Sequence, residues 1–122
     1  SYSRVAYSGL ELAETALGID GTIRATVRVA NTGDRPVTET VQWYLRDLVT
    51  SLTWADKELK GYRRVVLAPG ESAEVSFELP AAACTIVDAD ARRVVEPGGF
   101  ELLVGPDSRN GSLLAARFTL VV

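Results

Sequence analysis

The sequence predicts an antiparallel β-sandwich, and three observations favour that class. First, 28 of the 122 residues are Val, Thr or Ile, the β-branched types that suit a pleated, half-buried surface. Second, apolar and polar residues alternate with a period of two in several segments, which indicates strands with one buried face. Third, turn-forming residues separate these segments at short intervals, and no helical periodicity intervenes.

Three strands are predicted in the first half of the chain. The first is expected over residues 4–13. Residues 22–30 give the clearest alternation, and their inward members are Ile23, Ala25, Val27 and Val29. Gly33 and Pro36 lie in the turn sequence that ends this strand. A third strand covers residues 37–47, with Val41, Trp43 and Leu45 on one face and Gln42, Tyr44 and Arg46 on the other. Trp43 is therefore predicted to lie in the core.

The middle of the chain predicts two further strands around a tight turn. Residues 61–67 can form a short strand, which Pro69 and Gly70 end. Proline fixes φ and the glycine after it permits the positive φ that a tight turn needs. Gly61 itself is expected at a bulge or at a close approach of two backbones. Residues 72–79 alternate again, with inward members Val75, Phe77 and Leu79.

The last part of the chain continues the pattern of short strands and turns. Residues 88–90, Asp-Ala-Asp, are expected to form a tight turn between two short strands, and residues 97–99, Pro-Gly-Gly, a second turn. The alternating residues of the final two strands are Phe100, Leu102 and Val104, followed by Phe118 and Leu120. Helical turns fit only at Ala13–Leu17 and Ala81–Thr85, which are too short to change the class. The total is about seven or eight strands.

Composition excludes several classes of function. Thirteen Lys and Arg against sixteen Asp and Glu leave a net charge of −3, so nucleic acid is not an expected partner. No run approaches the roughly 18 apolar residues of a membrane span, so a membrane is not expected either. The chain has no histidine, which excludes Ser-His-Asp and Cys-His catalysis. Its single cysteine, Cys84, excludes an internal disulfide and a Cys-rich zinc site.

Four segments of the sequence, taken in order, carry a resemblance to a known family. They are Gln42–Asp47 (QWYLRD), Lys57–Val65 (KELKGYRRV), Leu67–Leu79 (LAPGESAEVSFEL) and Val95–Gly105 (VEPGGFELLVG). Together they resemble the fibronectin type III-like domain at the C-terminal end of family 3 glycoside hydrolases, the β-glucosidase and β-xylosidase group. The resemblance covers nearly the whole chain.

This resemblance implies both a fold and a role. The implied fold is an immunoglobulin-like, fibronectin type III-like sandwich, with residues 1–122 forming one domain that is a fragment of a larger hydrolase. The implied role is that of a non-catalytic accessory domain that packs on the catalytic domains and stabilises them. In the family, the nucleophile and the acid/base lie in the preceding domains, so catalytic residues and a cofactor are not expected here. The alternative is a carbohydrate-binding module that holds polysaccharide through exposed aromatic residues.

Five residues are candidates for contacts with carbohydrate or with a partner domain. Trp54 lies in a polar loop, where its ring can stack on a sugar, pack against the parent enzyme or cap the edge of the sandwich. Tyr44 points away from Trp43 and is expected to be partly buried. Tyr62, Lys57 and Glu58 lie in the second matched segment, whose charges suit either a solvated surface or an interface.

Two further features receive structural interpretations. Asp88 and Asp90 suggest calcium, but calcium takes six to eight oxygen ligands from a longer loop. A turn with ion pairs to Arg92 and Arg93 is the preferred interpretation. Cys84 lies among alanines beside Ile86 and is expected to be a buried, unreactive thiol.

Overall fold

The computed structural model describes residues 4–48, 57–87, 90, 92–95 and 97–121. Ten strands run through this part of the chain. They are β1 (Val5–Leu12), β2 (Ala16–Gly18), β3 (Thr22–Asn31), β4 (Val37–Asp47), β5 (Glu58–Leu67), β6 (Ser72–Pro80), β7 (Thr85–Val87), β8 (Arg93–Val95), β9 (Gly98–Gly105) and β10 (Leu114–Val121). The described helical segments are two short 3-10 turns, Ala81–Ala83 and Asn110–Ser112, and neither could cross a membrane.

The strands form two main sheets, which confirms the predicted β-sandwich. One sheet has three strands in the order β1-β3-β6, and the other has five in the order β2-β10-β9-β4-β5. The long strands pair antiparallel, while the three-residue strand β2 lies parallel to β10. Strands β7 and β8 form a separate antiparallel pair. They correspond to the two short strands predicted around residues 88–90, and the three-residue β2 is the strand that the sequence did not predict.

The core lies between the two main sheets and contains the residues that the alternation placed inward. Val27 and Val29 of β3 and Val41 of β4 have no exposed surface. Trp43 is 7% exposed and stacks on Phe77 of the opposite sheet, with ring centroids 4.0 Å apart and planes 7° apart. Burying one such aliphatic side chain contributes about 1.5–3 kcal/mol before chain entropy is subtracted. The prediction that Trp43 belongs to the core is confirmed.

Two polar features fix one end of the sandwich. The turn between β5 and β6 is closed by a 2.9 Å hydrogen bond from the Glu71 amide to the Ala68 carbonyl, and Gly70 has a φ of 76°. This confirms the turn predicted from Pro69 and Gly70. Asn31, which is 2% exposed, donates from Nδ2 to the carbonyls of Arg35 and Leu67 at 2.7 and 3.1 Å. Its side chain therefore joins the end of β3 to the end of β5.

Three local predictions were wrong. Strand β5 begins at Glu58, three residues before the predicted start at Gly61. The sequence pattern missed these residues because a bulge interrupts the alternation of the strand there. Gly98 and Gly99 are not a turn, since they pair with Leu120 and Thr119 inside the sheet. Residues 13–17 form no helical turn and lead instead into β2. The 3-10 turn at Ala81–Ala83 does match the second predicted helical site.

Candidate functional site

A bulge in β5 positions the side chains of the candidate site. Gly61 pairs with Trp43, but the next paired residues are Leu59 and Tyr44, so Lys60 is one residue in excess on the β5 side. The indole of Trp43 occupies the space beside Gly61, where a Cβ atom would lie 2.6 Å from the Cε2 and Nε1 atoms. This close approach requires glycine. The bulge also shifts the alternation, so that Leu59 and Tyr62 share the outer face of the five-stranded sheet.

The outer face of β5 exposes three large apolar side chains. Leu59 is 54% exposed, Tyr62 59% and Val66 72%. Arg64 lies between Tyr62 and Val66 on the same face, with its guanidinium carbon 5.8 Å from the centre of the Tyr62 ring. Leu59, Tyr62, Arg64 and Val66 are named the β5 patch below. Arg64 forms no ion pair with any carboxylate in the described part of the chain.

The strands beside β5 continue this face inward with buried side chains. Tyr44 of β4 lies between Leu59 and Leu103 in the sheet, and both Tyr44 and Leu103 are less than 10% exposed although they lie outside the core. The Tyr44 hydroxyl donates to Oε1 of Gln42. Burial and, to a smaller extent, the charge of Asp107 raise the pKa of Tyr44. Tyr44 therefore stays neutral and presents little surface to a ligand.

A row of charges follows on the same face. Glu101 of β9, which is 9% exposed, accepts from Arg46 Nη2 at 3.1 Å and from Arg117 Nε at 3.4 Å. The Nε atom of Arg46 is buried and has no hydrogen-bond partner among the described residues. The two arginines neutralise Glu101, so this carboxylate is held in place rather than available for chemistry.

The outer face of the three-stranded sheet has a different character. Its side chains are short, polar or charged, and cross-strand partners pair opposite charges, as Arg24 and Glu78 do at 2.9 Å. A groove of about 720 Å³ lies beside it, lined by residues that include Glu11, Ser76 and, from β5 of the other sheet, Arg63. This composition is typical of a solvated sheet face. The two outer faces thus differ, because only the five-stranded sheet exposes a cluster of apolar side chains in the described structure.

The charged residues at the start of β5 lie near Cys84. Lys60, the bulge residue, is 15% exposed and contacts Oε2 of Glu58 at 3.4 Å. Cys84 is 2% exposed. Burial raises the pKa of the Cys84 thiol to about 11, while Lys60 acts in the opposite direction and Asp47 adds to the rise. At neutral pH the thiol is therefore protonated and enclosed, which agrees with the predicted unreactive cysteine.

A buried carboxylate was missed by sequence reasoning. Glu39 is 8% exposed and accepts a 2.5 Å hydrogen bond from the hydroxyl of Tyr7, which joins β4 to β1. Burial, followed by the hydrogen bond and charge of Glu39, raises the pKa of Tyr7. The sequence did contain a signal for it: Glu39 alternates in step with Val41 and Trp43, and its side chain is therefore expected to face inward. A carboxylate at an inward-facing strand position predicts that a buried hydrogen-bond donor lies opposite it.

The five sequence-predicted site residues separate into distinct environments. Tyr62 is exposed on the outer face of β5, whereas Tyr44 is buried beside it. Glu58 and the partly buried Lys57 lie at the beginning of β5, away from the centre of the β5 patch. Trp54 lies outside the described residues. The bulge or close approach predicted at Gly61 is confirmed. Sequence reasoning nevertheless missed Leu59 and Val66, because it did not assign β5 residues to a face.

The described residues contain no group of three or more Cys, Asp and Glu side chains arranged to hold a metal ion. Asp88, one of the two aspartates considered for calcium, lies outside them. Asp90 is exposed and contacts Arg92 at 3.5 Å, which fits the ion pair expected for this turn.

Comparison with known proteins shows which family and which enzymes this sandwich is similar to. A family model for the fibronectin type III-like domain matches residues 39–108. A β-xylosidase of Formosa agariphila is 38% identical over 98% of the chain, and a periplasmic β-glucosidase of Salmonella typhimurium is 34% identical over 88% of it. The chain spans only 17% and 14% of the lengths of these two relatives.

Solved structures give the same relation. A β-glucosidase involved in saponin metabolism from intestinal bacteria superposes with a TM-score of 0.87 at 46% identity, covering 98% of this chain and 16% of its own. A GH3 β-glucosidase of Bifidobacterium adolescentis superposes with a TM-score of 0.80 at 35% identity, covering 98% of this chain and 17% of its own. In each case the match is to a small part of a much longer chain.

Proposed function

Because the chain belongs to the fibronectin type III-like domain family, we propose that it is a non-catalytic accessory domain of a larger β-glucosidase-like hydrolase. Its role is to pack on the catalytic domains and stabilise them. The observation that carries this proposal is coverage: nearly the whole chain matches only 14–17% of the length of the two hydrolases compared above. The parent enzyme would act on terminal β-linked sugars, as the names of these relatives suggest.

The arrangement of carboxylates supports a non-catalytic role. A glycosidase places two carboxyl groups roughly 5–9.5 Å apart across the bond that it cleaves. The buried carboxylates of the described part are Glu39 and Glu101. Glu39 faces the interior and is held by Tyr7, while Glu101 lies on the outer face and is held by two arginines. They lie on opposite faces of the same sheet and cannot act on one substrate.

Two measurements test this proposal. The isolated chain should show no turnover of aryl β-glucosides or aryl β-xylosides above background, since the buried carboxylates of its described part lie on opposite faces of a sheet. Removal of residues 1–122 from the parent protein should shorten the half-life of its activity at elevated temperature, because an apolar interface would become exposed. Activity of the isolated chain, or a truncated parent that is as stable as the full-length protein, would refute it.

The alternative function, polysaccharide binding, has one supporting observation. Tyr62 is exposed on the surface, and an exposed aromatic ring can stack on a sugar. It is, however, the single exposed aromatic side chain among the described residues, and the Arg64 guanidinium lies near its ring. Retention of the chain on insoluble polysaccharide, lost in Tyr62→Ala or Trp54→Ala, would favour this function. No retention of the unmodified chain would exclude it.

A further inference from the structure

We propose that the β5 patch is the surface through which this domain docks on the catalytic part of its parent, and that the docking partner presents a carboxylate to Arg64. The inference rests on the proposed function and adds to it a specific face and a specific charge. It commits to one occupant, the remainder of the parent chain, which is the part of the relatives' length that this chain does not match.

The first argument is the contrast between the two outer faces. On the three-stranded sheet, exposed positions are occupied by residues such as Arg28, Glu74 and Ser76, and paired charges are common. On β5, three large apolar side chains are each more than half exposed within ten residues of one strand. A cluster of this kind on one element marks an interaction site, whereas single exposed apolar residues do not. The bulge contributes directly, because it brings Leu59 onto the same face as Tyr62.

The second argument is the charge within the patch. Several exposed arginines of the described structure contact a carboxylate, as Arg24 does with Glu78 and Arg109 does with Asp107 at 2.8 Å. Arg64 forms no such ion pair, although the chain carries an excess of acidic residues. A cation beside three exposed apolar groups, held near an aromatic ring, suits a partner surface that is apolar with an acidic residue at its edge.

The same charge argues against a second copy of this chain as the occupant. A two-fold dimer would use the same patch on both protomers, since such an interface is self-complementary. It would therefore bring Arg64 of both copies into one interface. Like charges opposed across an interface are unfavourable. The parent chain, which supplies a different surface, carries no such restriction.

The experiment measures the accessibility of residue 66 in two contexts. Val66→Cys is introduced into the isolated chain and into the parent protein, and maleimide modification of the peptide that contains it is followed by mass spectrometry. Val66 is 72% exposed, so the substitution leaves the fold intact, and Cys84 is buried and reacts slowly. We expect at least tenfold slower modification in the parent than in the isolated chain. Ser76→Cys, an exposed position on the other sheet, is the matched control and should react equally in both.

A charge reversal gives a second and independent readout. Arg64→Glu should lower the thermal stability of the parent and leave that of the isolated chain nearly unchanged, whereas Arg35→Glu, in the exposed turn between β3 and β4, should affect neither. Equal modification of residue 66 in both contexts would overturn the docking face. Concentration-dependent protection of the isolated chain would indicate self-association and would also overturn it. If removal of the domain still destabilises the parent while residue 66 stays reactive, the accessory role is supported and the β5 patch is refuted as the docking surface.

Discussion

Gly61 of β5 is predicted to be a position where even a methyl side chain destabilises the fold. In Gly61→Ala the added methyl group would lie 2.6 Å from two atoms of the Trp43 indole and 2.7 Å from Cζ2. The indole cannot move freely, because its ring is stacked on Phe77 with centroids 4.0 Å apart. Either the backbone of β5 moves away, or the aromatic stack is broken. Both outcomes cost folding free energy.

The size of the effect follows from these contacts. Overpacking a well-packed site costs about 1–3 kcal/mol. Loss of the stack alone would cost about 0.5–1.5 kcal/mol. With an unfolding entropy of about 2.1 cal/mol/K per residue, each kcal/mol lowers the Tm of a chain of this length by about 4 °C. Gly61→Ala is therefore expected to lower Tm by about 4–12 °C.

The assay is thermal and urea unfolding of the isolated chain, with Gly18→Ala as the matched control. Gly18 also lies in a strand, and a Cβ there would meet nothing within 4 Å, so its substitution should be neutral or slightly stabilising. Trp43→Phe, which has a smaller ring, should cost less in the Gly61→Ala background than in the wild type. Equal stability of Gly61→Ala and Gly18→Ala, or strict additivity with Trp43→Phe, would refute the proposed clash.

Three further predictions concern buried polar groups and are checked by urea unfolding. Tyr7→Phe removes the hydroxyl that donates to buried Glu39 and should lower the free energy of unfolding by about 1.5–3 kcal/mol. The loss should be smaller in the Glu39→Gln background. An equal loss in both backgrounds would show that the hydrogen bond contributes nothing. Asn31→Ala leaves the Leu67 and Arg35 carbonyls without their donor and should cost about 1–3 kcal/mol, whereas a loss below 0.5 kcal/mol would mean that water replaces the side chain. Burial raises the pKa of Cys84 from 9.0 to about 11, so its thiol ionises first in the unfolded state. The stability that it contributes is complete below pH 9 and is lost as pH rises to 11, by up to about 3 kcal/mol. Cys84→Ala should remove this component of the pH dependence, and an unchanged alkaline slope would contradict the assignment.

The extent to which the sequence predicts this structure depends on the regularity of each strand. In β3 and β6 the alternation is unbroken, so its inward residues are the buried ones. In β5 it failed, because a bulge changes the parity and the reason for the bulge lies in another strand. The sequence predicted a bulge or a close approach at Gly61, but the contact with Trp43 that requires glycine there is visible only in the structure. The same dependence on distant contacts explains Gly98 and Gly99, whose strand pairing is set by β10.

The candidate surface shows a similar division. Tyr62 could be named from the sequence because it lies in a matched segment and carries an aromatic ring. Tyr44 was named for the same reason, yet it is buried between Leu59 and Leu103 of neighbouring strands, an arrangement that only the register reveals. Exposure of Leu59 and Val66 was not predictable, since apolar residues in a strand are ordinarily assigned to the core. The predicted contacts of Trp54, Lys57 and Glu58 with a partner remain predictions.

The central claim, that this domain docks through β5 on a larger enzyme, is tested most directly by side-chain oxidation with hydroxyl radicals. The oxidation rate of Tyr62 is compared between the isolated chain and the parent protein, with Val121, which is 44% exposed at the end of β10, as the internal reference. We predict that Tyr62 is oxidised several-fold more slowly in the parent while the rate at Val121 is unchanged. Equal oxidation of Tyr62 in both proteins would contradict the claim.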